Sequence, residues 1–400
     1  MITLEKVKTT AEMLKEVVIK TDLIKTSGIS EEKELYLKAE NLQVTGSFKV
    51  RGAYGKIAGL TDEQKARGVV ACSAGNHAQG VALAAKQRNI EATIFIPSTA
   101  PITKIEATRS FGANVELVDG VYDDAYDEAM KFQKAANAVF IHPFNDEDVI
   151  TGQGSIALEI FEQLPDVEAI VVPIGGGGLI AGIAATAKML NPNCKVYGVQ
   201  AEGAAAMYLS FKRDNLTEVP TVSTFADGTA VKHPGDLTFE YCKKFVDDIV
   251  TVTDDETATA VLTLMERQKL VAEGSGALSV AAVMFDKLPV NGKKTVCVVS
   301  GGNIDVNILS RVINRGLLKT GRLCDLTIEL TDKPGELQQV STIIAHTGAN
   351  VIRVRHNRGG AGTDINGCYL KISMETKNKQ HFDEVRNKLI QAGYKVTTVV

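Results

Sequence analysis

The 400-residue chain has no C-x-x-C pair, no internal repeat, no low-complexity stretch and no excess of positive charge. Each absence removes a class of protein. The six cysteines, Cys72, Cys194, Cys242, Cys297, Cys324 and Cys368, are scattered, which is not the spacing of a zinc site or a disulfide framework. Buried thiols in a reducing cytoplasm are expected instead. With 44 Lys+Arg against 48 Asp+Glu the net charge is −4, which speaks against nucleic acid or an anionic membrane as partner. No run of about 18 apolar residues is present, so no membrane span is expected. The opening residues, M-I-T-L-E-K-V-K, lack an apolar signal core.

What is present is ordinary for a soluble globular protein: 44% hydrophobic and 23% charged residues. The length exceeds one ordinary core and predicts two or three domains. From about residue 35 to 315, short apolar runs alternate with Ala/Lys/Glu-rich segments. Strands are expected at 35–38, 68–72, 92–97, 114–118, 169–174, 195–200 and 294–299, with helices at 78–88, 104–111 and 122–136. Continuous apolar strands imply sheets buried on both faces, and alternation with helices implies parallel, right-handed winding. Three strands run into small polar turns: V-V-A-C-S-A-G-N, I-V-V-P-I-G-G-G-G and V-C-V-V-S-G-G-N. Ligands collect at the carboxyl ends of such strands, so the three turns point to one cleft.

After Gly321 the texture changes. C-D-L-T-I-E-L alternates like a half-exposed strand, and T-D-K-P-G-E-L opens a helix to about His346, with Pro334 early and Gly348 as C-cap. Strands follow at 350–355 and 367–374, around the loose N-R-G-G-A-G-T-D. A helix at 379–391 stops at Gly393, and a last strand covers 394–400. This is a ferredoxin-like βαββαβ unit, with the break near 316–323.

Lys49 sits in S-F-K-V-R-G-A among residues small enough for a ring to approach, beside Phe48. A lone lysine is ordinarily a solvated charge, whereas a nucleophilic one must be desolvated. In S-A-G-N-H, covering Ser73, Ala74, Gly75, Asn76 and His77, Asn76 can serve as a helix cap or as a donor to a ring oxygen. His77 is read as structural rather than as a general base. Gly175, Gly176, Gly177 and Gly178, followed by Leu179, lie between an apolar strand and a helix, and exposed amides at a helix start bind anions. The same run formally matches G-x-G-x-x-A with Glu202 downstream, so a dinucleotide is the rival ligand. It would leave Lys49 and Asn76 without a role. Ser300 and Gly301 follow another strand, and Glu273 stands in A-E-G-S-G-A as a further cleft residue. One amine, polar ring contacts and a phosphate cradle fit pyridoxal 5′-phosphate (PLP), an electron sink for carbanions.

Together these motifs closely resemble the fold-type II PLP enzymes, in particular threonine dehydratases, with serine racemases and serine dehydratases as relatives. The resemblance implies two open αβα subdomains of the tryptophan-synthase-β kind over 1–320, the smaller at about 46–151 inserted in the larger. It implies an ACT regulatory domain at 325–400, with K-P-G-E-L in its ligand-loop region. It places the covalent cofactor bond at Lys49, ring contacts at Asn76 and Ser300, and the phosphate at residues 175–179. Residues 73–77 then face the substrate. The implied reaction turns L-threonine into 2-oxobutanoate and ammonia, and L-serine into pyruvate, in amino-acid metabolism such as isoleucine biosynthesis. A small effector would act through the ACT domain of a dimer or tetramer. Two departures stand out: Ala74 replaces the acid/base serine of the racemases, and Tyr208 replaces the aspartate that, with positions 202 and 206, binds their divalent cation. No divalent metal is therefore expected, and a monovalent ion near Glu202 stays open. A non-catalytic amino-acid sensor is the reading from a different class.

Overall fold

The computed structural model describes residues 1–29, 33–358 and 366–398. The chain divides into two compact units, Met1–Asp305 and Val306–Val400.

The first unit contains two sheets. The larger orders Leu23–Lys25, Leu35–Lys38, Thr295–Val298, Ala169–Pro173, Lys195–Ala201 and Asp248–Val252, antiparallel at the first pair and parallel beyond it. The smaller is wholly parallel and orders Asn114–Val118, Ala92–Pro97, Val69–Cys72 and Val139–Phe140. Every residue of Val69–Cys72, Ala92–Pro97 and Ala169–Pro173 is buried. Helices cover both faces, so continuous apolar runs are what these strands need. Each sheet has its own apolar core, one around Val69, Ile94 and Val81, the other around Ile170, Val196 and Ile183. Each such side chain contributes about 1.5–3 kcal/mol on burial.

Three central helices pack so closely that glycine is required. Cβ atoms on Gly152 and Gly182 would lie 2.4 Å and 2.3 Å from the carbonyl oxygens of Arg51 and Ile150. Gly80 brings helix Asn76–Gln87 against the backbone of Lys49 at the start of helix Lys49–Ala58: a Cβ would stand 3.0 Å from the Lys49 carbonyl carbon. These contacts set the lysine's position.

The second unit opens with helix Val306–Lys319 and continues as strand, helix, two strands, helix and strand. Its antiparallel sheet orders Asn350–Arg358, Gly367–Glu375, Leu323–Thr331 and Lys395–Thr398. Residues of Leu323–Thr331 alternate between buried and accessible, as a sheet covered on one face demands. Gly335 (φ +99°) and Gly348 (φ +81°) bracket helix Glu336–Thr347, and both adopt the left-handed conformation that glycine tolerates. Most of N-R-G-G-A-G-T-D and the end of the last strand lie outside the described residues.

The division falls after Asp305, earlier than the break expected at 316–323, because helix Val306–Lys319 is continuous and clusters with the C-terminal unit. Strands Leu23–Lys25, Val139–Phe140 and Asp248–Val252 were not expected; all lie at sheet edges, and the first two have only three and two residues. No helix among the described residues is long and apolar enough to cross a membrane.

Candidate active site

Lys49 is the first residue of its helix and is half-buried. Its Nζ donates to the Pro143 carbonyl at 2.9 Å and lies 5.4 Å from the centroid of the Phe48 ring. Burial pushes its pKa down to about 8, against the charge of Glu273, which favours the ammonium. Glu273 shows the converse. Burial pushes its carboxyl up to about 7, opposed by a hydrogen bond from Asn76 and the charge of Lys104. Near neutral pH both groups therefore sit close to their own titration points, which suits proton transfer.

Asn76 joins the pieces. Its Nδ2 donates to Glu273 Oε1 at 2.7 Å, and its Oδ1 accepts from Asn303 Nδ2 at 2.8 Å. One N–H of Asn76 is thereby committed to Glu273 and the other can meet a ring oxygen. Gly301 lies beside both: a Cβ there would stand 2.6 Å from Glu273 Oε1 and 3.2 Å from Asn76 Nδ2. Ser47 bridges to Gly301, and the Phe48 amide donates to the Ser300 carbonyl at 3.1 Å. Ser300 is nearly inaccessible, and its Oγ donates to the Ser275 carbonyl at 3.3 Å.

The glycine run starts helix Gly178–Leu190, with Gly177 as N-cap at φ +99°. Cβ atoms on Gly176 and Gly178 would lie 2.4 Å and 2.9 Å from atoms of Phe144, next to the Pro143 that receives Lys49. The Gly176 carbonyl accepts from Thr238 Oγ1 at 2.6 Å. Leu179 points into the apolar core, so only its backbone can face a ligand. Crowding on the protein side and the amides of a helix's first turn are the features an anion cradle needs. An amine, an amide donor, a buried hydroxyl and such a cradle fit the reactive groups of PLP.

The structure thus brings Lys49, Asn76, Glu273, Ser300 and Gly301 together and links them to the glycine run through residues 143–144. Ser73, Ala74 and Gly75 form the half-buried turn beside them, with Ser73 Oγ accepting from the Gly75 amide at 3.2 Å. A Cβ on Gly75 would meet nothing within 4 Å, so the turn faces open space. His77 turns away, its buried Nε2 on the Ile141 carbonyl at 2.8 Å. Burial, helped by the charge of Lys49, lowers its pKa to about 3. Glu202 is exposed, Ala206 is buried, and the Tyr208 amide donates to Gln200 Oε1 at 2.7 Å. Nothing in the first unit gathers three metal-type side chains among the described residues.

Sequence reasoning missed the stretch I-H-P-F-N, residues 141–145. Pro143 receives Lys49 and Phe144 walls the cradle. His142 accepts the Phe144 and Asn145 amides on Nδ1, at 3.2 Å and 2.8 Å. Burial and the charge of Lys49 hold its pKa down to about 4. Asn303 was missed too, although it ends the quoted S-G-G-N.

Comparison with known proteins identifies the family. The pattern of the family described as "Pyridoxal-phosphate dependent enzyme" matches residues 14–302. The chain is 51% identical over 401 aligned residues to L-threonine ammonia-lyase of Thermotoga maritima, covering 100% of each chain. The processed form of threonine deaminase isoform 2 from Solanum lycopersicum has a TM-score of 0.75 at 36% identity, covering 79% of this chain and 88% of that one. Maize serine racemase has a TM-score of 0.74 at 34% identity, covering 78% and 97%. The chain belongs to the pyridoxal-phosphate dependent enzymes, in the part of that family that includes the L-threonine ammonia-lyases.

Proposed function

We propose that this protein converts L-threonine to 2-oxobutanoate and ammonia, and L-serine to pyruvate and ammonia. The observation that carries this reading is the desolvated Lys49 amine beside Asn76 and Glu273, in a chain half identical to an L-threonine ammonia-lyase from end to end.

Lys49 would hold the cofactor, the amides of residues 175–178 would take its phosphate, Asn76 would serve the ring oxygen, and Ser300 the ring nitrogen. When bound, PLP supplies the sink for electrons released at the substrate Cα. The neutral Lys49 amine accepts the Cα proton. The β-hydroxyl leaves as water, giving aminocrotonate. Hydrolysis consumes one water and yields 2-oxobutanoate and ammonia. Ser300 is a neutral hydroxyl and does not protonate the ring nitrogen, which favours prompt elimination over transamination. Residue 74 carries no hydroxyl for the opposite face of the substrate, which speaks against racemisation.

The second unit is read as an effector-binding ACT domain, and the protein as a homo-oligomer. Six buried cysteines without disulfides suit a reducing cytoplasm.

The test is keto-acid release from threonine and serine by the yellow holoenzyme. Lys49→Ala is expected to lower turnover by at least about 10²–10⁴-fold, the usual worth of acid–base help. Borohydride reduction should leave a pyridoxyl group on the Lys49 peptide. An adduct elsewhere would refute the site, and failure to release either keto acid would refute the reaction.

A further inference from the structure

The second unit holds a side-chain cluster that the proposed reaction leaves unused. Asp332, His356 and Cys368 each offer one ligand atom, and these atoms all lie within 4.8 Å of one another. The topology places them there. Asp332 directly follows strand Leu323–Thr331, Cys368 is the second residue of the neighbouring Gly367–Glu375, and His356 lies on Asn350–Arg358 at the far side of it. The register pairs His356 with Leu370 and Arg358 with Cys368. His356 and Cys368 are thus diagonal neighbours on one face of the sheet, within reach of each other.

We propose that Asp332, His356 and Cys368 bind a thiophilic divalent cation of the Zn²⁺ class, with a fourth position left to water or a small ligand. Thiolate and imidazole together select Zn²⁺ or Co²⁺ over Mg²⁺ or Ca²⁺, which prefer oxygen. Tetrahedral bonds of about 2.0–2.3 Å put donor atoms about 3.3–3.6 Å apart, so the cluster closes on an ion by small side-chain rotations. Asp332 and His356 are exposed while Cys368 is buried, which gives an ion a route in from solvent to a thiol just beneath. The Arg358 Nε holds Asp332 Oδ2 at 3.0 Å, orienting the carboxylate as an outer partner of a metal ligand does. The simpler alternative is an Asp332–Arg358 ion pair above an inert core cysteine. This inference is independent of the lyase reading.

The experiment uses the full-length holoenzyme, stripped with a chelator, dialysed against Zn²⁺ alone and assayed for bound metal. About one Zn²⁺ per chain is expected. Cys368→Ser and His356→Gln should each weaken binding by at least about 100-fold, beyond what loss of an outer partner costs. Basal lyase turnover should be unchanged. Co²⁺ should give a thiolate charge-transfer band in the difference spectrum between the native protein and Cys368→Ser. His356 is exposed, so His356→Gln keeps the fold, and matching metal-free melting midpoints verify this. Zinc retained equally by both variants, or by none of the three proteins, overturns the proposal.

Discussion

At the residue scale, the most informative quantity is the basicity of Lys49. A solvated lysine has a pKa near 10.5, and burial brings this one to about 8. The sign decides the behaviour: only the neutral amine adds to an aldehyde, and its fraction grows as pH rises through 8. The cofactor-free protein is therefore expected to capture PLP faster from pH 6 to 8 and to level off above about 8. Absorbance stopped-flow measures this, and a plateau reached only near 10 would show a solvated amine. S-F-K-V-R-G-A marked the lysine because its neighbours are small. It could not supply the Pro143 carbonyl, 94 positions away, which holds the amine in place. A still larger separation, 197 positions, hid the Asn76–Glu273 bond.

At the element scale, three of the four glycines are required, for two different reasons. Gly177 needs its positive φ, whereas Gly176 and Gly178 need room beside Phe144. Gly177→Ala would force an L side chain into a left-handed conformation and bring its Cβ to 2.7 Å from Thr238 Oγ1. A loss of about 1–3 kcal/mol is expected in urea unfolding. Equilibrium dialysis should also show weaker retention of PLP, because the helix start must shift. Unchanged stability and unchanged retention would remove the cradle from the account. In the sequence the glycine cluster reads as an anion site because no plain turn needs four. Its wall was not, because residues 141–145 lack a recognisable period.

At the scale of the whole molecule, the first unit is tied together by buried charge. Arg51, fully buried, meets Glu40 Oε2 at 2.8 Å and Glu159 Oε1 at 2.6 Å, and Lys38 reaches Glu159 Oε2 at 2.6 Å. Burial alone would raise the Glu40 carboxyl, but the Arg51 charge and hydrogen bonds overcome it and hold the pKa below its usual value. Arg51→Met leaves carboxylates uncompensated and should cost about 3–5 kcal/mol, read from the urea midpoint. This arginine belongs to the same short motif as Lys49 but supports the fold rather than the chemistry. The second unit folds around its own core of Leu326, Ile328, Val340 and Leu370. If it senses an effector, truncation after Gly321 should abolish effector-dependent changes in substrate cooperativity. Identical steady-state curves for the two forms would make the tail merely structural.

By itself, the sequence determined what is local. Apolar runs, turn residues and glycine clusters repeat short-range steric rules, and these sufficed for parallel sheets and a ferredoxin-like tail. Only the tertiary structure decided which groups face one another. Burial that takes Lys49 down and Glu273 up, the proline carbonyl under the amine, and the Asp332–His356–Cys368 cluster all depend on contacts between distant segments. Those contacts are set by packing and desolvation, which leave no periodic trace along the chain.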